Sequence, residues 1–219
     1  MPTDEQALEV FQNLNLRGSS AQLNIFREAL IERIAPPWSR SKADERYSAG
    51  VRGSQGALVL HRQPDAGVPG ARLFLWRNPD RFEVSNIVPF ESGELGRGGY
   101  NTVLKDFIGR IAGPAAEAAG ITVELTGSAQ TLDDWTTPEV ASALRLFSHL
   151  ANKSTGSSHP LDKERWFDFI AKAHAGDDRL DTSQLMRWLV EVEGWGEDEA
   201  SDLVIEYEFG LGLLDFVNK

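Results

Sequence analysis

Three runs decide the fold class: Ala57-Leu58-Val59-Leu60-His61-Arg62, Arg72-Leu73-Phe74-Leu75-Trp76-Arg77 and Arg81-Phe82-Glu83-Val84-Ser85-Asn86-Ile87-Val88. All three are short and rich in aliphatic and aromatic residues, which fit a pleated, half-buried surface. Between them lie Pro64-Asp65-Ala66-Gly67-Val68-Pro69-Gly70 and Asn78-Pro79-Asp80. Connections so short and so rich in turn formers join antiparallel neighbours, so the stretch reads as a β-meander. Ile121-Thr122-Val123-Glu124-Leu125-Thr126 alternates and adds a fourth strand.

Helical patterns flank the meander. Leu8, Phe11 and Leu14 predict a first helix, with Thr3 as its cap and Asp4 and Glu5 at its positive end. Leu23, Phe26, Leu30 and Ile34 predict a second, which Ala35-Pro36-Pro37-Trp38 ends. Ser39 to Gly56 is polar and reads as a loop. After the glycine-rich stretch Glu91 to Gly99, residues Tyr100, Val103, Leu104, Phe107, Ile108 and Ile111 trace a clear helix face. Gly113-Pro114 interrupts it before a short continuation over Ala115 to Ala119.

From Thr136 onward every pattern is helical. Thr137-Pro138-Glu139 starts a helix bearing Val140, Leu144 and Phe147, and Pro160 opens one bearing Trp166, Phe167, Ile170 and His174. Asp181-Thr182-Ser183-Gln184 starts a third, with Leu185, Met186, Leu189 and Val190. Gly194-Trp195-Gly196 breaks it. A last helix carries an inner series of Ala200, Leu203, Val204, Tyr207, Leu211, Leu214 and Phe216. The expected architecture is α+β. Residues 1–128 hold N-terminal helices and a mostly antiparallel sheet of about four strands, and residues 130–219 form an acidic part of about four helices.

Charge is distributed unevenly along the 219 residues. Of the formal net charge of −11, the last 43 residues carry −9, from twelve acids against three bases. Part of this is structural, because acids in the first turn of a helix complement its dipole. The remainder favours a basic partner, chiefly by speeding encounter. Asp198, Asp202 and Glu206 are spaced by four and fall along one side of the last helix. Glu191 and Glu193 join them across the turn, where Trp195 is read as an apolar anchor.

Several chemistries are missing. Cysteine is absent, which excludes disulfides, thiolate nucleophiles and cysteine-ligated metal. There is no P-loop, zinc-protease motif, nucleophile elbow, kinase signature or calcium-loop pattern, and no closely spaced histidines. No metal site and no cofactor is expected. Gly93, Gly96, Gly98 and Gly99 around Arg97 read as a flexible link rather than a phosphate site. The opening Met1-Pro2-Thr3-Asp4-Glu5-Gln6 is acidic, and no run reaches the roughly 18 apolar residues of a membrane span, so a cytoplasmic location is expected.

One loop invites a catalytic reading. Ser157-Ser158-His159-Pro160-Leu161-Asp162 holds hydroxyls, an imidazole and a carboxylate, the parts of a hydrolase triad. Capping of the helix that Pro160 opens is the simpler account of Ser158 and His159. Arg40, Lys42, Arg46, Arg52, Arg62, Arg72, Arg77 and Arg81, interleaved with Phe74 and Trp76, raise a nucleic-acid reading. The interspersed Asp44, Glu45, Asp65, Asp80 and Glu83 argue against it. In size, charge and missing chemistry the chain resembles small acidic partners such as immunity proteins and antitoxins, which is an analogy without a motif. The leading expectation is therefore a non-enzymatic module that binds a basic protein, as an inhibitor or regulatory subunit does. A hydrolase built on Ser157, Ser158, His159 and Asp162, or a nucleic-acid-associated subunit, are the alternatives.

Overall fold

The computed structural model describes residues 7–49, 56–90, 93–176 and 179–218. It divides the chain into two compact units, Glu9–Ser128 and Met1–Leu8 together with Ala129–Lys219. Strand β1 (Leu8–Glu9) precedes β2 (Leu14–Arg17), α1 (Ser20–Glu32), β3 (Trp38–Arg40) and α2 (Lys42–Ala49). The meander follows as β4 (Ala57–Arg62), β5 (Ala71–Arg77) and β6 (Arg81–Pro89). Then come α3 (Gly96–Phe107), a five-residue π-helical turn at Ile108–Ala112, α4 (Gly113–Ala119), β7 (Thr122–Leu125) and β8 (Ala129–Gln130).

In the Glu9–Ser128 unit six strands form one antiparallel sheet in the order β3-β4-β5-β6-β2-β7. The α+β class is as expected, and the sheet is larger than the four strands read from sequence. Its main addition corrects the first expected helix, since Leu8 and Leu14 lie in strands. The proposed cap Thr3, with Asp4 and Glu5, lies outside the described residues. Leu8, Phe11 and Leu14 imitate a helical stripe by their spacing of three. Within β2, however, Leu14 and Leu16 are buried and alternate with half-buried Asn15 and Arg17, the strand period of two. β2 lies inside the sheet, with Leu16 opposite Phe82 on one side and Val123 on the other. Strand partners so distant in sequence leave no local turn signal.

The stretch from Ser39, read as a loop, supplies edge strand β3 and helix α2; Arg52 lies outside the described residues. Helix α2 has five polar residues, two alanines and one tyrosine, and no aliphatic residue larger than alanine, so it shows no apolar stripe. Helix α1 follows its pattern, with Leu23, Phe26 and Leu30 buried and a capping box between Ser19 and Gln22. α3 continues into α4 despite Pro114, which lacks a backbone donor. The π-helical turn absorbs the misfit, and Gly113 N–H bonds the Ile108 carbonyl. A Cβ at Gly113 would lie 2.8 Å from that oxygen, so glycine is required there. Residues of α1, α3 and α4 pack with Leu58, Leu60, Leu73, Leu75, Phe82 and Val84 of the sheet to form this unit's core.

The other unit is the expected set of helices: α5 (Pro138–Leu150), α6 (Pro160–Ala175), α7 (Thr182–Arg187) and α8 (Glu197–Val217). A π-helical turn at Trp188–Val192 follows α7. Thr137 and Asp181 cap their helices through side-chain acceptors. Their common core is a row of rings. Trp195 stacks on Phe147, Phe147 meets Trp166, Trp166 meets Phe169 and Phe169 stacks on Tyr207, with centroids 4.7–5.5 Å apart. Two inward assignments are corrected: Phe167 and Phe216 are exposed. Asp177 and Asp178, counted in the acidic block, lie outside the described residues.

Candidate functional site

α8 is 21 residues long and carries no basic side chain. Its N-cap is Gly196, which offers no side-chain acceptor, so Glu197, Asp198 and Glu199 supply the negative charge that the helix start favours. Ala200, Leu203 and Tyr207 are buried, and Val204, Leu211 and Leu214 pack partly against the core. Gly210 faces α6, where a Cβ would meet the Ile170 side chain at 3.0 Å. That close approach fixes which side of α8 faces inward.

The opposite side is the candidate site. At about 100° per residue, Ile205, Phe209, Leu213 and Phe216 share an outward face with Asp198 and Asp202. The face is acidic over its first turns and apolar over its last. Ile205 is 61% exposed, Phe209 72% and Phe216 74%, and Leu213 and Val217 are exposed as well. Asp198, Asp202, Glu206 and Glu208 are all exposed. Among the described residues, Asp215 is the α8 carboxylate with ion-pair partners. Arg179 holds it by two hydrogen bonds of 2.8 and 2.9 Å, and His174 lies 3.0 Å away. Arg179 draws the Asp215 carboxyl down to about 2, with help from His174. The other six carboxylates of α8 face no cation among the described residues.

Sequence reasoning placed Asp198, Asp202 and Glu206 correctly on one exposed side and missed the apolar stripe beside them. A signal existed: besides its inner series α8 carries Ile205, Phe209 and Leu213, more apolar residues than a helix with one buried face requires. Trp195 is not the exposed anchor expected. It is 3% exposed, stacked on Phe147, and its Nε1 donates to Ser148 Oγ at 2.7 Å. The flanking glycines turn the chain so that the indole enters the core. Glu193 is also buried and accepts from Trp188 Nε1.

The loop from Asn152 to His159, read separately from sequence, meets α8. Buried Ser157 donates from Oγ to Glu206 Oε2 at 2.7 Å, and Lys153 Nζ donates to the Glu193 carbonyl. A cavity of about 390 Å³ lies between this loop and Glu199, Asp202 and Glu206. The triad parts are arranged differently. Ser158, His159 and Asp162 line a separate open cavity, but no hydrogen bond links them. Buried Asp162 accepts from Arg165 Nη1 at 2.7 Å. His159 is the N-cap of α6, yet its side chain makes no capping bond. Ser157, the buried hydroxyl of the group, is committed to Glu206. Among the described residues no three histidines or carboxylates converge as metal ligands. No described helix is long and apolar enough to cross a membrane.

No family model, no curated protein and no solved structure matches this chain.

Proposed function

We propose that the chain is a protein-interaction module that binds a basic, amphipathic surface of another protein through the outer face of α8, as an inhibitor, immunity factor or regulatory subunit does. The observation that carries this reading is the juxtaposition on one helix face of exposed Ile205, Phe209, Leu213 and Phe216 with carboxylates that lack cationic partners. Contiguous exposed apolar side chains rimmed by charge mark interaction surfaces. The apolar residues supply contact area, while the carboxylates steer encounter and reject acidic surfaces. A lipid surface fits poorly, because anionic headgroups repel such a face and interfacial helices carry lysine and arginine instead.

The experiment compares partner association for the wild type and for the triple variant Asp198→Asn, Asp202→Asn, Glu206→Gln at low and raised salt. Slower and less salt-sensitive association by the variant, with unchanged folding, supports the reading. Unchanged kinetics contradict it, as does a partner that carries no basic surface.

A further inference from the structure

We propose that a cleft in the Glu9–Ser128 unit is a binding site for a phosphorylated small molecule. The cleft measures about 850 Å³ and opens between α1, α2 and the ends of β4, β5 and β6. Its wall brings together Arg27, Arg40, Lys42, Arg46 and Arg77, from four different elements, against one carboxylate, Glu45. Glu45 is already committed. It takes both Nε and Nη2 of Arg40, at 2.7 and 2.8 Å, and the Val59 amide. Arg27 pairs with exposed Glu28. Lys42, Arg46 and Arg77 are left with no carboxylate partner among the described residues.

Arg77 is the most telling of these. Its guanidinium stands 4.9 Å over the Phe82 ring, and burial pulls it below its ordinary value, so it is partly desolvated without a counter-ion. Lys42 and Arg46 sit four apart on α2, where like charges repel unless an anion lies between them. Guanidinium forks match phosphate oxygens in bidentate geometry, and a lysine adds a point charge. The floor is apolar, built by Leu58 and Phe82, and the volume falls in the range of small-molecule sites, about 300–1,000 Å³.

The other arginines of the sheet argue for a small ligand over a nucleic-acid strand. Arg62 is buried on Asp106, Arg81 pairs with Asp80 and Glu83, and Arg72 lies over Phe90. Of these three arginines Arg72 alone has no carboxylate partner among the described residues, and one cation does not make the track along the sheet that a polynucleotide backbone requires. This site lies in a different unit from α8 and does not depend on the function proposed there.

Calorimetric titration with inorganic triphosphate, with ATP and with a short single-stranded RNA tests it. Triphosphate and ATP should bind the full chain at low salt and weaken as salt rises. Lys42→Gln and Arg77→Gln should each weaken triphosphate binding about tenfold. Arg72→Gln, outside the cleft, should leave it unchanged. Lys42 is exposed on α2, so its variant keeps the test valid if Arg77→Gln unfolds. Tighter binding of ATP than of triphosphate assigns the apolar floor to a nucleoside. Absence of binding by both phosphates overturns the proposal. So does equal loss in Arg72→Gln, or RNA binding tighter than triphosphate.

Discussion

Replacing Asp106 by alanine should be among the most damaging single changes in the Glu9–Ser128 unit. Its carboxylate is 11% exposed and accepts three hydrogen bonds, from Arg62 Nε at 2.9 Å, Arg110 Nε at 2.7 Å and Trp38 Nε1 at 2.8 Å. Arg62 is fully buried; its remaining partners are the carbonyls of Gln63 and Val68 at 2.9 Å and of Asp65 at 3.4 Å. Removing one member of a buried pair costs about 3–5 kcal/mol, because the other charge stays buried. The three carbonyls soften this, while the orphaned Trp38 indole N–H adds about 1 kcal/mol or more. A loss of about 3–4 kcal/mol follows. Replacing both partners, Asp106→Leu with Arg62→Met, should recover part of it, since apolar residues can substitute for a buried pair, while the Trp38 indole and the carbonyls that Arg62 served stay unpaired. Urea unfolding followed by circular dichroism of the wild type, Asp106→Ala and the double variant gives the three free energies to compare. Burial alone would raise the Asp106 carboxyl, but the hydrogen bonds from Arg62, Arg110 and Trp38 hold it below its ordinary 3.8. Its contribution is therefore present above pH 4 and lost as the pH falls through the lowered value. A loss under about 1 kcal/mol in Asp106→Ala, or no recovery in the double variant, would refute this reasoning.

Trp166→Ala should cost about 3–5 kcal/mol in denaturant unfolding, since the ring is fully buried between Phe147 and Phe169. Trp166→Phe should cost far less, because Nε1 has no hydrogen-bond partner and its removal relieves a buried unpaired donor. Burial pushes the Tyr207 phenol up to about 12, so its contribution is whole below pH 10 and fades as the pH rises from 10 to 12. Unfolding free energy measured across that window should fall less in Tyr207→Phe than in the wild type.

The meander and the C-terminal helices were legible because their signals are local. Turn residues bound β4, β5 and β6, and Thr137, Pro138, Pro160 and Asp181 mark the helix starts. β2 was not legible, because Leu14 and Leu16 meet partners about 70 and 110 residues away in sequence. α2 was hidden by its polar composition. At the candidate site, spacing alone put Asp198, Asp202 and Glu206 on one side of α8. The same spacing turns Ile205, Phe209 and Leu213 outward, but α8 offers more apolar residues than its inner face can cover, so apolarity alone does not assign a residue inward. Phe216 was misplaced for that reason. Trp195 was misplaced because flanking glycines permit either direction, and the choice is set by stacking on Phe147.

Site-specific photocrosslinking from the outer face of α8 tests the central claim most directly. A photoreactive residue replaces Phe209 or Leu213 in one pair of variants and Arg72, an exposed site in the other unit, in a control. The account predicts that positions 209 and 213 capture the same protein, through a segment with lysine or arginine beside apolar residues, and that position 72 does not. Capture of an acidic segment, or equal capture from all three positions, would contradict it.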